Sequence, residues 1–185
     1  MENSDRFFVI TGGPGSGKSS LIKALEDSGY GSSVEAGRGI IQDQMSIGGR
    51  ALPWDDRSLF AEMMLSWEMR SYRIAECSAG PFFFDRGVVD VIGYLQLVEL
   101  AIPGYVRKAA ETFRYRRRVF IAPPWQEIFC QDRERRQDFA EAIRTFDALA
   151  AAYDACGYEL VELPRISVEA RKSFVLRSID VVPVR

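Results

Sequence analysis

Residues Arg6 to Leu25 read RFFVITGGPGSGKSSLIKAL, and this stretch decides the fold of the chain. Its first part, Phe7 to Ile10, is an unbroken apolar run of the kind found in strands that are covered on both faces. A glycine-rich segment follows, and a helix is expected to begin near Lys18. The sequence therefore predicts a buried strand, a glycine-rich turn and a helix in direct succession.

The turn contains a complete G-x-x-x-x-G-K-[ST] pattern. A pair of β- and γ-phosphates must be surrounded by backbone N–H groups, which only glycines let close enough. The following helix points its positive dipole end at the anion, and Lys18 adds a formal charge. The Ser19 hydroxyl is placed to ligate Mg²⁺. The pattern thus predicts a site for ATP or another nucleoside triphosphate, formed by Gly12, Gly13, Pro14, Gly15, Ser16, Gly17, Lys18, Ser19 and Ser20.

Length and composition limit the class of protein. With 185 residues, 47% of them hydrophobic, we expect one domain over residues 1–185. The formal net charge of -2 gives no global positive field, so neither nucleic acid nor an anionic membrane is an expected partner. The chain has no histidine, which excludes a histidine-ligated metal and a histidine-based catalytic triad.

The cysteines and the N-terminal segment favour a cytoplasmic location. Cys77, Cys130 and Cys156 are odd in number and widely spaced, without a C-x-x-C pair, as expected of a reducing compartment. The first residues, MENSDRF, are polar and acidic where a signal peptide would be basic and then apolar. No apolar run is long enough to span a bilayer, and we expect a monomer or a homodimer.

Strands alternate with helices along the chain, which predicts an α/β fold with a mostly parallel, twisted sheet between two helical layers. Residues 27–33 are predicted to be a turn-rich connection, and 180–185 an edge strand or a tail. Asp55 is a candidate N-cap for a long helix. Further strands are predicted at 82–84, 118–122 and 158–163, and helices at 39–48, 55–77, 88–101, 105–113, 139–156 and 167–178.

Polar residues follow the predicted strands, where open α/β sheets place their ligands. Asp85 follows the apolar FFF strand and is expected within reach of Mg²⁺ or of a substrate hydroxyl, with a helix cap or surface salt bridge as the alternative. Glu35 and Arg38 lie between the first two main strands and are candidates for a substrate pocket.

Two arginine-rich segments precede later elements. Arg133 and Arg136, together with Arg135, would neutralise the transferred phosphoryl group if residues 125–138 formed a mobile lid. Acidic residues alternate with these arginines, so a solvated helix start is the alternative interpretation. For the segment RYRRR, at 114–118, we favour a solvated surface.

The segments GGPGSGKSS, VEAGR, FFFDRG, QDRERR and ELPRISVEAR together resemble a family of P-loop proteins, the predicted ATPases with an AAA domain. These are similar to the ribosylnicotinamide kinase domain of NadR and, more distantly, to thymidylate, shikimate and adenylate kinases. Nothing in the sequence resembles the helical lid domain or the ring arginine of hexameric AAA+ machines. An N-K-x-D motif for guanine is also lacking.

The resemblance implies a role for each matching residue. Asp85 would orient or deprotonate the acceptor hydroxyl or hold Mg²⁺, and Arg86 would contact acceptor or phosphate. Glu35 and Arg38 would belong to the acceptor site, and Arg133 and Arg136 would be lid arginines.

Two functions fit these expectations, beside a third, a nucleotide-binding module without turnover. The first is an ATP- and Mg²⁺-dependent kinase that phosphorylates a nucleoside, a nucleotide or a similar metabolite. The second is a regulatory NTPase switch without a small-molecule acceptor.

Overall fold

The sheet of the protein is built from parallel strands in the order β2-β3-β1-β4-β5, as seen in a computed structural model that describes residues 3–129 and 138–179. Both neighbours of the central strand pair with it in parallel. The strands are β1 (Phe7–Gly12), β2 (Gly31–Ser32), β3 (Phe82–Asp85), β4 (Arg118–Ala122) and β5 (Glu159–Glu162).

Helices connect successive strands and cover both faces of the sheet. They are α1 (Lys18–Glu26), α2 (Ala36–Ile47), α3 (Arg57–Glu76), α4 (Val88–Leu97), α5 (Gly104–Thr112), α6 (Phe139–Ala155) and α7 (Val168–Ser178). Short 3₁₀ turns lie at Asn3–Arg6 and Gln126–Ile128. None of the helices in the described ranges has the length and apolarity needed to cross a membrane.

The apolar run of β1 supplies both halves of the core. Phe7 and Val9 point to one face, where they pack with buried residues of α3, α4, α5 and α6. Phe8 and Ile10 point to the opposite face, where they pack with α1 and α7. Because successive side chains of a strand alternate between faces, a continuous apolar strand requires cover on both sides. The predicted three-layer α/β fold with a parallel sheet is confirmed.

The structure corrects several predicted boundaries. Gly31–Ser32 was expected within a turn but forms the edge strand β2, because it pairs in parallel with β3 and the Ser33 N–H donates to the Phe83 carbonyl at 3.0 Å. Two residues without an apolar pattern give no strand signal. The N-cap of α3 is Asp56 rather than Asp55, since the Asp56 carboxylate accepts from the Leu59 N–H at 2.9 Å.

Helix α4 ends at Leu97, four residues before the predicted end at 101. Glu99 adopts a φ of +58°, and the Leu100 N–H donates back to the Leu95 carbonyl at 2.9 Å. This left-handed turn is a Schellman ending, which terminates the helix without a glycine. The residues 180–185, predicted as an edge strand or tail, lie outside the described part of the chain.

Phe84→Ala should lower the free energy of unfolding by about 3–5 kcal/mol, because it removes a fully buried ring and leaves a cavity. Phe84 is 0% exposed and contacts the rings of Phe7, Tyr72, Phe82 and Tyr115. Urea unfolding followed by circular dichroism measures the change. The control is Val34→Ala, a 71% exposed site that should change stability by less than about 0.5 kcal/mol. Equal effects of the two substitutions would contradict the assigned core.

Candidate functional site

The glycine-rich turn between β1 and α1, Gly12 to Ser19, is called the phosphate loop below. Gly12 has a φ of +133°, and a Cβ at this position would lie 2.4 Å from the Ala122 carbonyl oxygen of β4. Gly17, the N-cap of α1, has a φ of +80°. Both conformations favour glycine, so the backbone path of the loop depends on these residues. The loop therefore presents main-chain groups at a helix N-terminus, as a polyphosphate site requires.

Lys18 carries the positive charge of this loop into a buried position. Its side chain is 4% exposed, and its Nζ donates to the carbonyl oxygens of Gly12 at 2.9 Å and Gly13 at 2.7 Å. A third contact joins Nζ to the Ser16 Oγ at 3.3 Å. The loop thus holds an ammonium group next to its own backbone, and this positive charge suits a polyphosphate.

A cleft of about 480 Å³, the phosphate cleft, opens beside the loop. Its floor is the phosphate loop, and one wall carries the partly exposed residues Ile128 and Ile166, at 39% and 41% exposed. Trp125 and Phe129 add aromatic surface. A planar base next to a polyphosphate needs such a combination of apolar walls and an anion site.

Arg171 of α7 supports the phosphate loop through a hydrogen bond to its backbone. The guanidinium is 2% exposed and donates to the Ser16 carbonyl at 2.8 Å and to the Pro164 carbonyl at 2.7 Å. It also lies 4.8 Å from the centre of the Trp125 ring. Burial, with the charge of Arg165 as a smaller cause, lowers the pKa of Arg171. Sequence reasoning missed this residue, although a cation in the first turn of a helix, where the dipole opposes it, is an informative signal.

Arg86 and two carboxylates form the charged centre of the site. Arg86 follows β3 with a φ of +77° and is 15% exposed. Its Nε lies 3.2 Å from the Glu35 carboxylate and its Nη1 lies 3.2 Å from the Asp90 carboxylate. Burial alone would lower the pKa of Arg86, but Glu35, Asp90 and Asp85 outweigh it and the pKa is raised. The guanidinium therefore stays charged and fixed in place.

Asp90 connects this centre to the sheet and to α6. One carboxylate oxygen accepts from the Thr11 hydroxyl as well as from Arg86. The other accepts from the Gly87 N–H at 2.9 Å and from the Tyr153 hydroxyl at 2.6 Å. Sequence reasoning missed Asp90 as well. Its signal is a carboxylate in the middle of the apolar helix start VVDVI, where an ionisable residue needs partners.

A second cavity, of about 320 Å³, lies on the other side of the loop and is called the aromatic cavity. Trp54, Phe60 and Tyr94 contribute to its walls, and Pro14 of the phosphate loop lines both hollows. Burial raises the pKa of Tyr94 to about 12. A ligand in the aromatic cavity and one in the phosphate cleft would therefore approach each other at the phosphate loop.

The structure brings most of the predicted site residues together. Residues 14–19 of the phosphate loop line the phosphate cleft with Ser20 and Arg38, whereas Glu35 and Arg86 line the aromatic cavity. Asp85 is 4% exposed at the end of β3 and lines neither hollow; its backbone N–H donates to the Ser33 hydroxyl at 3.0 Å. The predicted lid arginines Arg133 and Arg136 lie outside the described residues.

In the described ranges no group of three or more aspartate, glutamate, cysteine or histidine side chains could by itself hold a metal ion. Mg²⁺ at phosphate-transfer sites usually needs only one or two protein oxygens, since nucleotide phosphates and water supply the rest. Ser19 and Asp85 are the residues that would supply them, as the sequence predicts.

Glu68 of α3 is a further carboxyl group that sequence reasoning did not single out. It is 3% exposed, and its Oε2 has no hydrogen-bond partner among the described residues. Burial raises the pKa of Glu68 well above the usual 4.5, and the charges of Asp90 and Asp85 raise it further. The neutral acid is thus the favoured form beside the charged centre.

A family model described as AAA domain matches residues 7–171, which is most of the chain. The protein belongs to this AAA domain family. The matched region starts at β1 and ends at Arg171, so it includes the phosphate loop, β3 with Arg86, and the residues that brace the loop. A comparison of the AAA domain sequence with curated proteins found no match.

Solved structures share the fold of this AAA domain. NadR protein in complex with NR is 16% identical with a TM-score of 0.71, and the alignment covers 97% of this chain and 52% of that one. The AAA domain thus spans about half of the NadR chain. Deoxyadenosine kinase from M. mycoides is 12% identical with a TM-score of 0.64, and the alignment covers 94% of this chain and 98% of the kinase chain. Thymidylate kinase from Ehrlichia chaffeensis is 11% identical with a TM-score of 0.64, again covering 94% and 98%.

These comparisons confirm the resemblance found in the sequence. The chain has the P-loop kinase-like fold over nearly its whole length. At identities this low, structural similarity establishes only the fold. The chemistry must therefore be argued from the residues of the two hollows.

Glu68→Gln should remove a pH dependence of stability. The native state holds a proton on Glu68 that the unfolded chain releases near pH 4.5, so this contribution is complete below that pH and is lost as the pH rises through the raised pKa. As the pH rises above about 4.5, the wild type should therefore lose stability relative to the variant. Thermal unfolding over this range measures it. Parallel pH profiles of wild type and variant would contradict the prediction, and Glu111→Gln is the exposed control.

Arg171→Lys should weaken nucleoside triphosphate binding by about tenfold, since lysine cannot donate to Ser16 and Pro164 in the same fork geometry. Isothermal titration with a non-hydrolysable triphosphate measures the affinity. Arg177→Lys, an exposed position on the same helix, should bind like the wild type. Unchanged affinity of the Arg171 variant would show that the brace does not shape the loop.

Proposed function

We propose that the protein is an ATP- and Mg²⁺-dependent phosphotransferase that acts on a nucleoside, a nucleotide or a similar metabolite. The observation that carries the proposal is the pair of hollows that meet at Pro14, one lined by the phosphate loop and the other by Glu35 and Arg86. A donor triphosphate in the first and an acceptor in the second would place the reacting groups side by side.

The proposed reaction is a direct transfer of the γ-phosphoryl group. An acceptor oxygen forms a bond to the γ-phosphorus, the bond to the β–γ bridging oxygen breaks, and the nucleoside diphosphate leaves with that oxygen. The proton of the acceptor hydroxyl goes to a carboxylate at the site. No covalent enzyme intermediate is needed, so positioning and charge stabilisation supply the catalysis.

Each residue has a role in this proposal. Lys18 and the loop amides bind the β- and γ-phosphates. Ser19 and Asp85 would hold Mg²⁺, which would neutralise charge on the phosphates. Glu35 receives the acceptor proton, because it lines the aromatic cavity and is fixed by Arg86 at 3.2 Å. Arg86 orients Glu35 and faces the acceptor. On sequence grounds alone, Arg133 and Arg136 belong to a lid over residues 125–138, within one domain of residues 1–185.

The test is an ATP-consumption assay with a broad panel of nucleosides, nucleotides and sugars. Glu35→Gln should lower kcat by about 100-fold or more while nucleotide binding stays intact, because a general base typically contributes that much. Asp85→Asn should lower activity and raise the Mg²⁺ concentration needed for half-maximal rate. The matched control, Glu111→Gln on the surface of α5, should behave like the wild type.

Two outcomes would contradict the proposal. If Asp85→Asn left activity and Mg²⁺ dependence unchanged, the role of Asp85 would be wrong. Slow ATP hydrolysis that no acceptor accelerates, together with a partner that distinguishes ATP from ADP, would favour the regulatory switch instead. Lys18→Ala should weaken triphosphate binding under either function and serves as the inactive reference.

A further inference from the structure

The charges that line the aromatic cavity bear on which acceptors can enter it. Among the described lining residues, Glu35, Asp90 and Glu141 carry carboxylates, and Arg57 and Arg86 carry guanidinium groups. The described lining is therefore net negative by one charge when all five are ionised. A cavity with this balance repels an anion and accepts a neutral or cationic molecule.

The guanidinium group of Arg86 is already paired with two carboxylates of the cavity lining. Arg86 bridges Glu35 and Asp90 at 3.2 Å each, and all three side chains are largely buried. Asp90 in turn is held by Thr11, Gly87 and Tyr153, so it cannot turn away without breaking several hydrogen bonds. A phosphate on the acceptor would have to displace a buried carboxylate from Arg86 or lie against one.

The second cation of the cavity lining, Arg57, lies at the start of α3. It is exposed and donates to the Pro53 carbonyl at 3.2 Å. Glu141 lines the same cavity, and its carboxylate lies 3.8 Å from the Arg144 guanidinium. Because Arg57 is exposed, water and salt screen its charge, and it attracts an anion only weakly.

Most of the remaining wall is apolar or aromatic. Phe60 and Tyr94 lie edge to face with ring centres 5.4 Å apart, and Trp54 is 58% exposed beside them. Such a wall favours a flat ring without charge, or with a positive charge, over a dianionic phosphate.

We infer that the acceptor is a hydroxyl compound that bears no phosphate, a nucleoside-like molecule whose ring packs on the aromatic wall and whose hydroxyl lies at Glu35. This inference rests on the proposed phosphotransferase function and narrows it from nucleosides and nucleotides to the unphosphorylated class. The hydroxyl oxygen bonds to the γ-phosphorus, its proton goes to Glu35, and the nucleoside diphosphate leaves.

The test compares each nucleoside in a panel with its own 5′-monophosphate. Binding to the protein with a non-hydrolysable ATP analogue is measured by isothermal titration, and kcat/KM is measured with ATP. The best nucleoside should bind at least about tenfold more tightly than its monophosphate and be the better substrate, because like charges across an interface are strongly disfavoured.

Glu141→Gln tests whether charge causes the discrimination. Removing one wall carboxylate should lower the nucleoside-to-monophosphate ratio of kcat/KM by about threefold or more, since the monophosphate gains while the neutral substrate does not. Glu111→Gln makes the same chemical change on the surface of α5, where the side chain is 68% exposed, and should leave the ratio unchanged.

The outcomes separate this inference from the proposed function. Monophosphates that bind and react as well as nucleosides would overturn the inference and leave the phosphotransferase standing. If ATP binds but no member of either set binds or is phosphorylated, the proposed function and the inference both fail. A ratio that Glu141→Gln and Glu111→Gln leave equally unchanged would show that the wall charges do not select the acceptor.

Discussion

The buried carboxylate of Asp90 is the interaction on which the site depends. It accepts hydrogen bonds from Thr11 at the end of β1, from Arg86 and Gly87 after β3, and from Tyr153 of α6. Four donors converge on the two oxygens of this carboxylate. They hold β1, the segment after β3 and α6 in fixed positions relative to one another. The phosphate loop leaves β1 directly after Thr11, so its starting position follows from this network.

The charged residues near the end of β3 are buried, which costs free energy of desolvation but also fixes their positions. Arg86 pairs with two carboxylates at once, while burial and the charges of Asp90 and Asp85 raise the pKa of Glu68, which favours its neutral form. A buried ion pair alone contributes little stability, but losing one partner leaves an uncompensated charge. Stability at this centre therefore depends on the whole set, and each member limits the conformations of the others.

Much of this arrangement could be predicted from the sequence, because the residues that indicate it lie close together in the chain. The phosphate loop is a contiguous pattern, and Asp85 and Arg86 directly follow an apolar run, so strand, turn and site residue occur within a few positions. Asp90 and Arg171 carried weaker signals, since their partners come from distant segments. The edge strand β2 also escaped prediction, because two residues become a strand only through pairing with β3.

The contact between Arg171 and Ser16 joins residues that are 155 positions apart in the chain. A ribosome delivers the phosphate loop well before α7. The nascent N-terminal half therefore carries the complete glycine motif without the guanidinium that supports it. The observed loop geometry can therefore gain the support of Arg171 only after α7 has been synthesised.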